Sequence, residues 1–195
     1  LAQCVKRQRV RPLNRVVRPQ GDSVAVQSIR GAWLTVFLWI NVFAWSTAFG
    51  GKLFELVVVI PAWAANPPES LLLMPYGPRY PFNPGDFFQP LGLIALVGCV
   101  GSLICGWHAP SRYKTLLWVP FAVLLVTAVA TPTLFWPMIS ALYRAGTGAA
   151  SLTDTAAHAL VHKWIWYDWL RAALGIPALG CAVHALSTRH RALGA

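Results

Sequence analysis

Two pairs of opposite charge interrupt otherwise apolar sequence: Lys52 with Glu55, and Asp168 with Arg171. Each pair is spaced i, i+3, so on a helix its members share one face. Charge is costly in hydrocarbon, and ionisable residues at membrane depth are inward-facing, paired and candidates for function. A carboxylate there can take a proton from a phenol or an activated carbon. A neighbouring cation can hold the resulting oxyanion, because fixed positive charge acts most strongly in a dry site. Asp168 and Glu55 are therefore the candidate bases, and Lys52 and Arg171 the candidate oxyanion holders. Two readings without chemistry fit the same residues. One is a salt-bridge network that pins two helices. The other is a Lys52 that snorkels to the interface.

Other side chains fall at the same level. Trp166 and Tyr167 offer ring faces on which an aromatic ligand can stack. Gln89, Thr131 and Thr133 add polar groups, and His162 stands just above them. His158 and His162 are spaced i, i+4 and share a face, but two ligands do not make a metal site. They read more simply as rim histidines, and no metal is expected. No Gly-rich phosphate loop, H-E-x-x-H or G-x-S-x-G occurs. Cys4, Cys99, Cys105 and Cys181 form no C-x-x-C, which argues against a thiol-oxidising membrane enzyme.

The elements that must position these residues are long and apolar. The composition is 56% hydrophobic and 11% charged, against about 25% charged in a soluble domain. Four stretches reach the roughly 20 residues needed to span hydrocarbon: 32–60, 87–107, 116–138 and 164–186. Tryptophans gather near their ends, as interfacial anchors do. The expected fold is all-α, a four-transmembrane-helix bundle over 31–188. A flexible basic arm (1–30) precedes it and a basic tail (189–195) follows. Glu55 lies roughly 8 Å from the end of span one, and Asp168 roughly 6 Å into span four. The end of the first helix and the start of the fourth emerge on the same side. The two charge pairs should therefore meet across one polar pocket.

Faces of the spans agree with this. Asn41, Trp45, Ala48, Lys52 and Glu55 form one unusually polar face of span one. Gly92, Ala95, Cys99, Ser102 and Gly106 form a small-residue stripe in span two, and Ala172, Gly175 and Ala182 another in span four. Small residues let membrane helices approach closely.

The net charge of +10 is distributed unevenly. The arm and Arg30, the short second loop (Arg112, Lys114) and the tail (Arg189, Arg191) carry eleven basic residues, while the first and third loops carry three, Arg79, Arg144 and Lys163. The positive-inside rule places both termini in the cytoplasm of a bacterial-inner-membrane-type protein. The arm KRQRVRPLNRVVRP lacks interleaved aromatics and any nucleic-acid motif. Anionic lipid is its expected partner, and no nucleic acid. Its Arg-rich, acid-poor start also fits a transit peptide, although two prolines break its helix.

Eight of the fifteen prolines lie in Pro61–Pro90. Proline excludes regular helix or strand there, while the aromatic content argues against a disordered linker. An ordered cap on the non-cytoplasmic end is expected. The third loop, 139–163, should open irregularly and turn helical at SLTDTAAHALVHKW, capped by Ser151 or Thr153.

The segments GGKLFELVVVIPAW, TPTLFWPM and WIWYDWLRAALG give the chain, over roughly 30–190, a layout that resembles the anthrone oxygenase-like family of small four-helix membrane proteins. The resemblance implies oxidation of a polycyclic phenol by dioxygen without a bound cofactor, with Arg171, Trp166 and Asp168 as carried-over candidates. Asp168 stands where that family usually has Asn or His, and Thr133 near a family Asn. Two classes remain open. One is an enzyme acting on a hydrophobic aromatic or quinone-like molecule that enters from the bilayer. The other is a non-enzymatic carrier, assembly partner or subunit of a larger complex, with self-association open.

Overall fold

The computed structural model describes residues 20–76 and 80–193, with side chains from 29 to 76 and from 80 to 190. The basic arm before residue 20, Arg79 and the end of the tail lie outside the described residues. The described chain is mostly helical and contains no strand. Its elements are α1 (Gln20–Phe54), a π-helical turn (Glu55–Val59), α2 (Ile60–Ala64), a 3₁₀ turn (Glu69–Leu73), α3 (Pro84–Cys105), α4 (Ser111–Ala130), a second π turn (Thr131–Phe135), α5 (Trp136–Gly146) and α6 (Asp154–Leu193). Four stretches are long and apolar enough to cross a membrane: Ile29–Ala64, Pro84–Cys105, Ser111–Gly146 and Asp154–His190. Helices satisfy every backbone polar group internally, which hydrocarbon demands. The protein is an all-α, multi-pass membrane bundle.

Three of the four spans are longer than their apolar runs imply. The first passes Ile60 and Pro61 and ends at Ala64. A π turn precedes Pro61, so the proline falls in the first turn of the resumed helix, where a missing N–H is tolerated. The third span repeats the device, with its π turn leading into Pro137. Here the expected loop over 139–163 is corrected. Helix continues to Gly146, only 147–153 connect, and α6 starts at Asp154. Gly148 makes the turn with φ of 72°, a left-handed conformation open to glycine. Thr153 caps α6, its hydroxyl accepting the Ala156 N–H at 3.3 Å. Helix α3 begins three residues earlier than expected because Asn83 and Asp86 form a capping box around Pro84.

Helix α1 packs between α3 and α6, while α4 packs on α6 and more lightly on α3. The α1–α3 contact is tight. A Cβ added to Gly98 would meet Asn41 Oδ1 at 2.9 Å, and one on Gly101 would meet the Phe37 ring at 2.4 Å. Asn41 donates to Ser102 Oγ at 3.3 Å and lies 3.2 Å from Cys99 Sγ. The contact stripe of α3 is thus Ala95, Gly98, Cys99, Gly101 and Ser102. It gains Gly98 and Gly101 over the expected one and lacks Gly92, whose Cβ position faces open space, and Gly106, which follows α3 and packs on Leu117. In α6, Ala172, Ala178, Ala182 and Ala185 are buried.

The proline-rich segment caps one end. Leu71 and Met74 are buried, and a Cβ on Gly146 would stand 2.8 Å from that of Leu71. The Ser70 hydroxyl donates to the Trp63 carbonyl at 2.7 Å. The described part of the cap is held by α2 and α5, the helical extensions beyond the two π turns.

Candidate functional site

Lys52 and Glu55 end the regular part of the first span, and Asp168 and Arg171 lie about four to five turns into α6. The bundle brings all four together. Lys52 Nζ pairs with Glu55 Oε2 and lies 3.4 Å from Asp168 Oδ1. Arg171 donates to the same Asp168 oxygen. Asp168 is completely buried, and Lys52 and Glu55 nearly so. The charges sum to zero, so each ion has an opposite neighbour, which is the condition for keeping charge out of water. Aromatic faces add to this: Lys52 Nζ stands 4.4 Å from the Phe88 ring centroid and the Arg171 guanidinium 4.1 Å from that of Phe135.

Beside the cluster lies a cavity of about 800 Å³. Lys52, Glu55 and Arg171 line it, while Asp168 lies behind its wall. Of the expected bases, only Glu55 can meet a ligand. Asp168 instead positions the two cations. Most of the wall is apolar, from Leu91, Leu96, Leu124, Phe135, Ala172 and neighbours. Pockets of roughly 300–1,000 Å³ with few polar groups are the usual form of small-molecule sites.

Both π turns border this cavity, through Glu55 on one side and Thr131, Pro132 and Phe135 on the other. In each, the N–H of the residue after the turn donates five residues back, from Ile60 to Glu55 and from Trp136 to Thr131. Such bulges occur frequently at functional sites. Here they let two helices pass the cluster, widen by one residue, and continue to the cap.

The other expected site residues divide. Thr131 and Gln89 line the cavity. The Thr131 hydroxyl donates to the Thr127 carbonyl at 2.7 Å, leaving only its oxygen lone pair for a ligand. Trp166, Tyr167 and His162 do not line the cavity. Trp166 is 70% exposed on the outer face, His162 is exposed, and Tyr167 lies half-buried with Lys163 Nζ 5.9 Å from its ring centroid. The reason is helical phase. Trp164, Asp168, Arg171 and Gly175 recur at three-four spacing and face inward, which turns Trp166 and His162 outward. His158 is exposed too, and no group of three or more metal-capable side chains occurs among the described residues.

Two cavity-lining residues escaped the sequence reading. Trp164 lines the cavity, is 1% exposed, and its indole N–H has no hydrogen-bond partner. It stacks edge-on with Trp63 and Phe135, at 5.3 and 6.2 Å between centroids. Its position four residues before Asp168 was the available signal. Tyr76 reaches the cavity from the cap. Burial, then the Glu55 charge, push its phenol well above the ordinary tyrosine value, so it stays a neutral O–H donor. Only tertiary contact reveals it, since it lies in a non-repeating loop.

No family model, curated protein or solved structure matches the chain.

Proposed function

We propose that this membrane protein binds a hydrophobic aromatic or quinone-like small molecule in the cavity beside the Lys52–Glu55–Asp168–Arg171 cluster. The observation that carries the reading is the cavity itself: apolar walls converging on one polar end where Lys52, Glu55, Arg171 and Tyr76 meet. Tyr76 and Lys52, both on the cavity wall, are hydrogen-bond donors, and a carbonyl or phenolate oxygen is the acceptor that matches them. The eleven-to-three basic asymmetry supports a cap on the non-cytoplasmic side and anionic lipid around the arm.

The chemistry within reach is proton transfer. Glu55 takes a proton from a phenol or activated methylene, and Lys52 and Arg171 hold the oxyanion. Asp168 is a positioning residue that fixes both cations. In the oxygenase reading supported by the family resemblance, dioxygen then oxidises the activated methylene. One oxygen atom becomes the new carbonyl and the other leaves as water with the two hydrogens. A carrier without turnover is the second reading. It is favoured by the pairing of Glu55 with Lys52, which already engages the carboxylate in a buried ion pair.

The test is mass spectrometry of small molecules released from protein purified in mild detergent, followed by titration with a soluble quinone. Stoichiometric release or saturable binding, weakened in Tyr76→Phe, is the expected result. Absence of any saturable aromatic ligand would sink the reading. A bound anthrone-type molecule consumed with dioxygen would select the enzyme; one returned unchanged would select the carrier.

A further inference from the structure

The cavity is longer than an aromatic head requires, and its polarity runs along the membrane normal. Its charged end lies at the level of Phe88, one turn into α3. Its far end is lined by Leu96 on α3 and Leu124 on α4. Those positions lie eight residues beyond Phe88 and seven before Thr131, hence about 12 and 10 Å deeper into the bundle. Helices α3 and α4 meet near their short connection, where Gly106 abuts Leu117. Between that contact and the cluster they leave a gap. Leu93 on one lip is 66% exposed and Leu125 on the other 47%, and both belong to the cavity wall. The opening therefore faces the bilayer sideways, in the leaflet on the cap side. Gly92 lies in this wall, and a side chain there would project into open space.

We infer that the ligand is a bilayer amphiphile, a quinone- or phenol-type head carrying an alkyl or isoprenoid tail, loaded sideways between α3 and α4. Its head oxygen meets Tyr76 and the cluster, and its tail runs past Gly92 and leaves between Leu93 and Leu125. This rests on the reading of the cavity as an aromatic-head site and adds the tail and its route. The orientation matches that of a lipid in the same leaflet, head at the interface and chain toward the midplane. The tail adds little affinity, because it leaves one hydrocarbon environment for another. What it requires is passage. Blocking the route should therefore reject tailed ligands while sparing tail-less ones.

Gly92→Leu makes that test, since its side chain enters space that is empty. Wild-type protein and Gly92→Leu, each in lipid nanodiscs, are titrated with a decyl-tailed dimethoxy-methyl-benzoquinone and with the same head lacking the tail. Binding is read by tryptophan quenching. Comparing variant with wild type for each probe cancels its partition into lipid. The expected result is at least a tenfold loss of affinity for the tailed quinone and less than a twofold change for the tail-less one. Equal effects on both probes, or none on the tailed probe, would overturn the route while leaving the head site standing. If neither probe binds wild type saturably, the aromatic-head reading fails with it. Leu125→Trp, which narrows the opposite lip, repeats the test independently of α3.

Discussion

Lys52 Nζ stands 3.4 Å from Asp168 Oδ1, and through this contact the first span is tied to the fourth at the level of the cavity. Asp168 also holds Arg171 from its own helix, so one buried carboxylate serves two cations. Its second oxygen has no partner among the described residues. The arrangement places both positive groups at the cavity wall and hides one of the two carboxylates that balance them.

Removing one member of this contact should destabilise strongly. Lys52→Met or Asp168→Asn leaves a buried charge short of its counter-ion, at a cost of about 3–5 kcal/mol. The double variant should recover much of that loss. Thermal unfolding in detergent of both singles and the pair reads the coupling. Additive losses would show that the contact does not join the two spans. Ligand binding should stay impaired in the pair even where stability returns, because the cavity has then lost its ammonium.

The α1–α3 interface should be intolerant of a single methyl group. Gly101→Ala drives a Cβ to within 2.4 Å of the Phe37 ring unless something moves. Overpacking of this kind costs about 1–3 kcal/mol. Adding Phe37→Leu should restore part of the loss. At Gly92 the same methyl meets nothing within 4 Å, so Gly92→Ala should be near neutral. A loss at Gly92 equal to that at Gly101 would contradict the packing described.

Tyr76 should make stability fall at high pH. Its folded-state pKa is raised by burial and by Glu55, whereas an unfolded tyrosine ionises at about 10. The stabilising contribution is full below the unfolded value and is lost as pH rises above it toward the folded value. Unfolding followed between about pH 9 and 11.5 should show a smaller alkaline loss in Tyr76→Phe than in wild type. Parallel curves would mean that Tyr76 is hydrated in the folded protein.

Both termini should be cytoplasmic. Single cysteines introduced at Ser187 or Gly194, in a chain with its native cysteines replaced, should resist impermeant thiol reagents in intact cells and react after lysis. Labelling from outside would reverse the orientation and place the cap and the cavity mouth in the cytoplasmic half.

The sequence by itself determined the class of the fold and the meeting of the charges. Apolar length sets the number of spans, because hydrocarbon admits only backbone that is bonded internally. The spacing of Lys52, Glu55, Asp168 and Arg171, with the rise of a helix, sets their faces and depth. The sidedness of the basic residues is legible in the same way. What the tertiary structure decided lies where neighbouring elements override local rules. Pro61 reads as the end of the first span and Met138 as the end of the third, yet π turns carry both helices onward, because contacts with the cap and with α6 hold the extensions in place. Trp166 and Trp164 look equivalent in sequence, but the phase that buries Asp168 sends one ring outward and the other into the cavity. Tyr76 lies in a loop without period, so no pattern could aim it at Glu55. The gap between α3 and α4 is not written in either helix. It arises because both pack on their other neighbours and meet each other near their short connection, which leaves the space above it open.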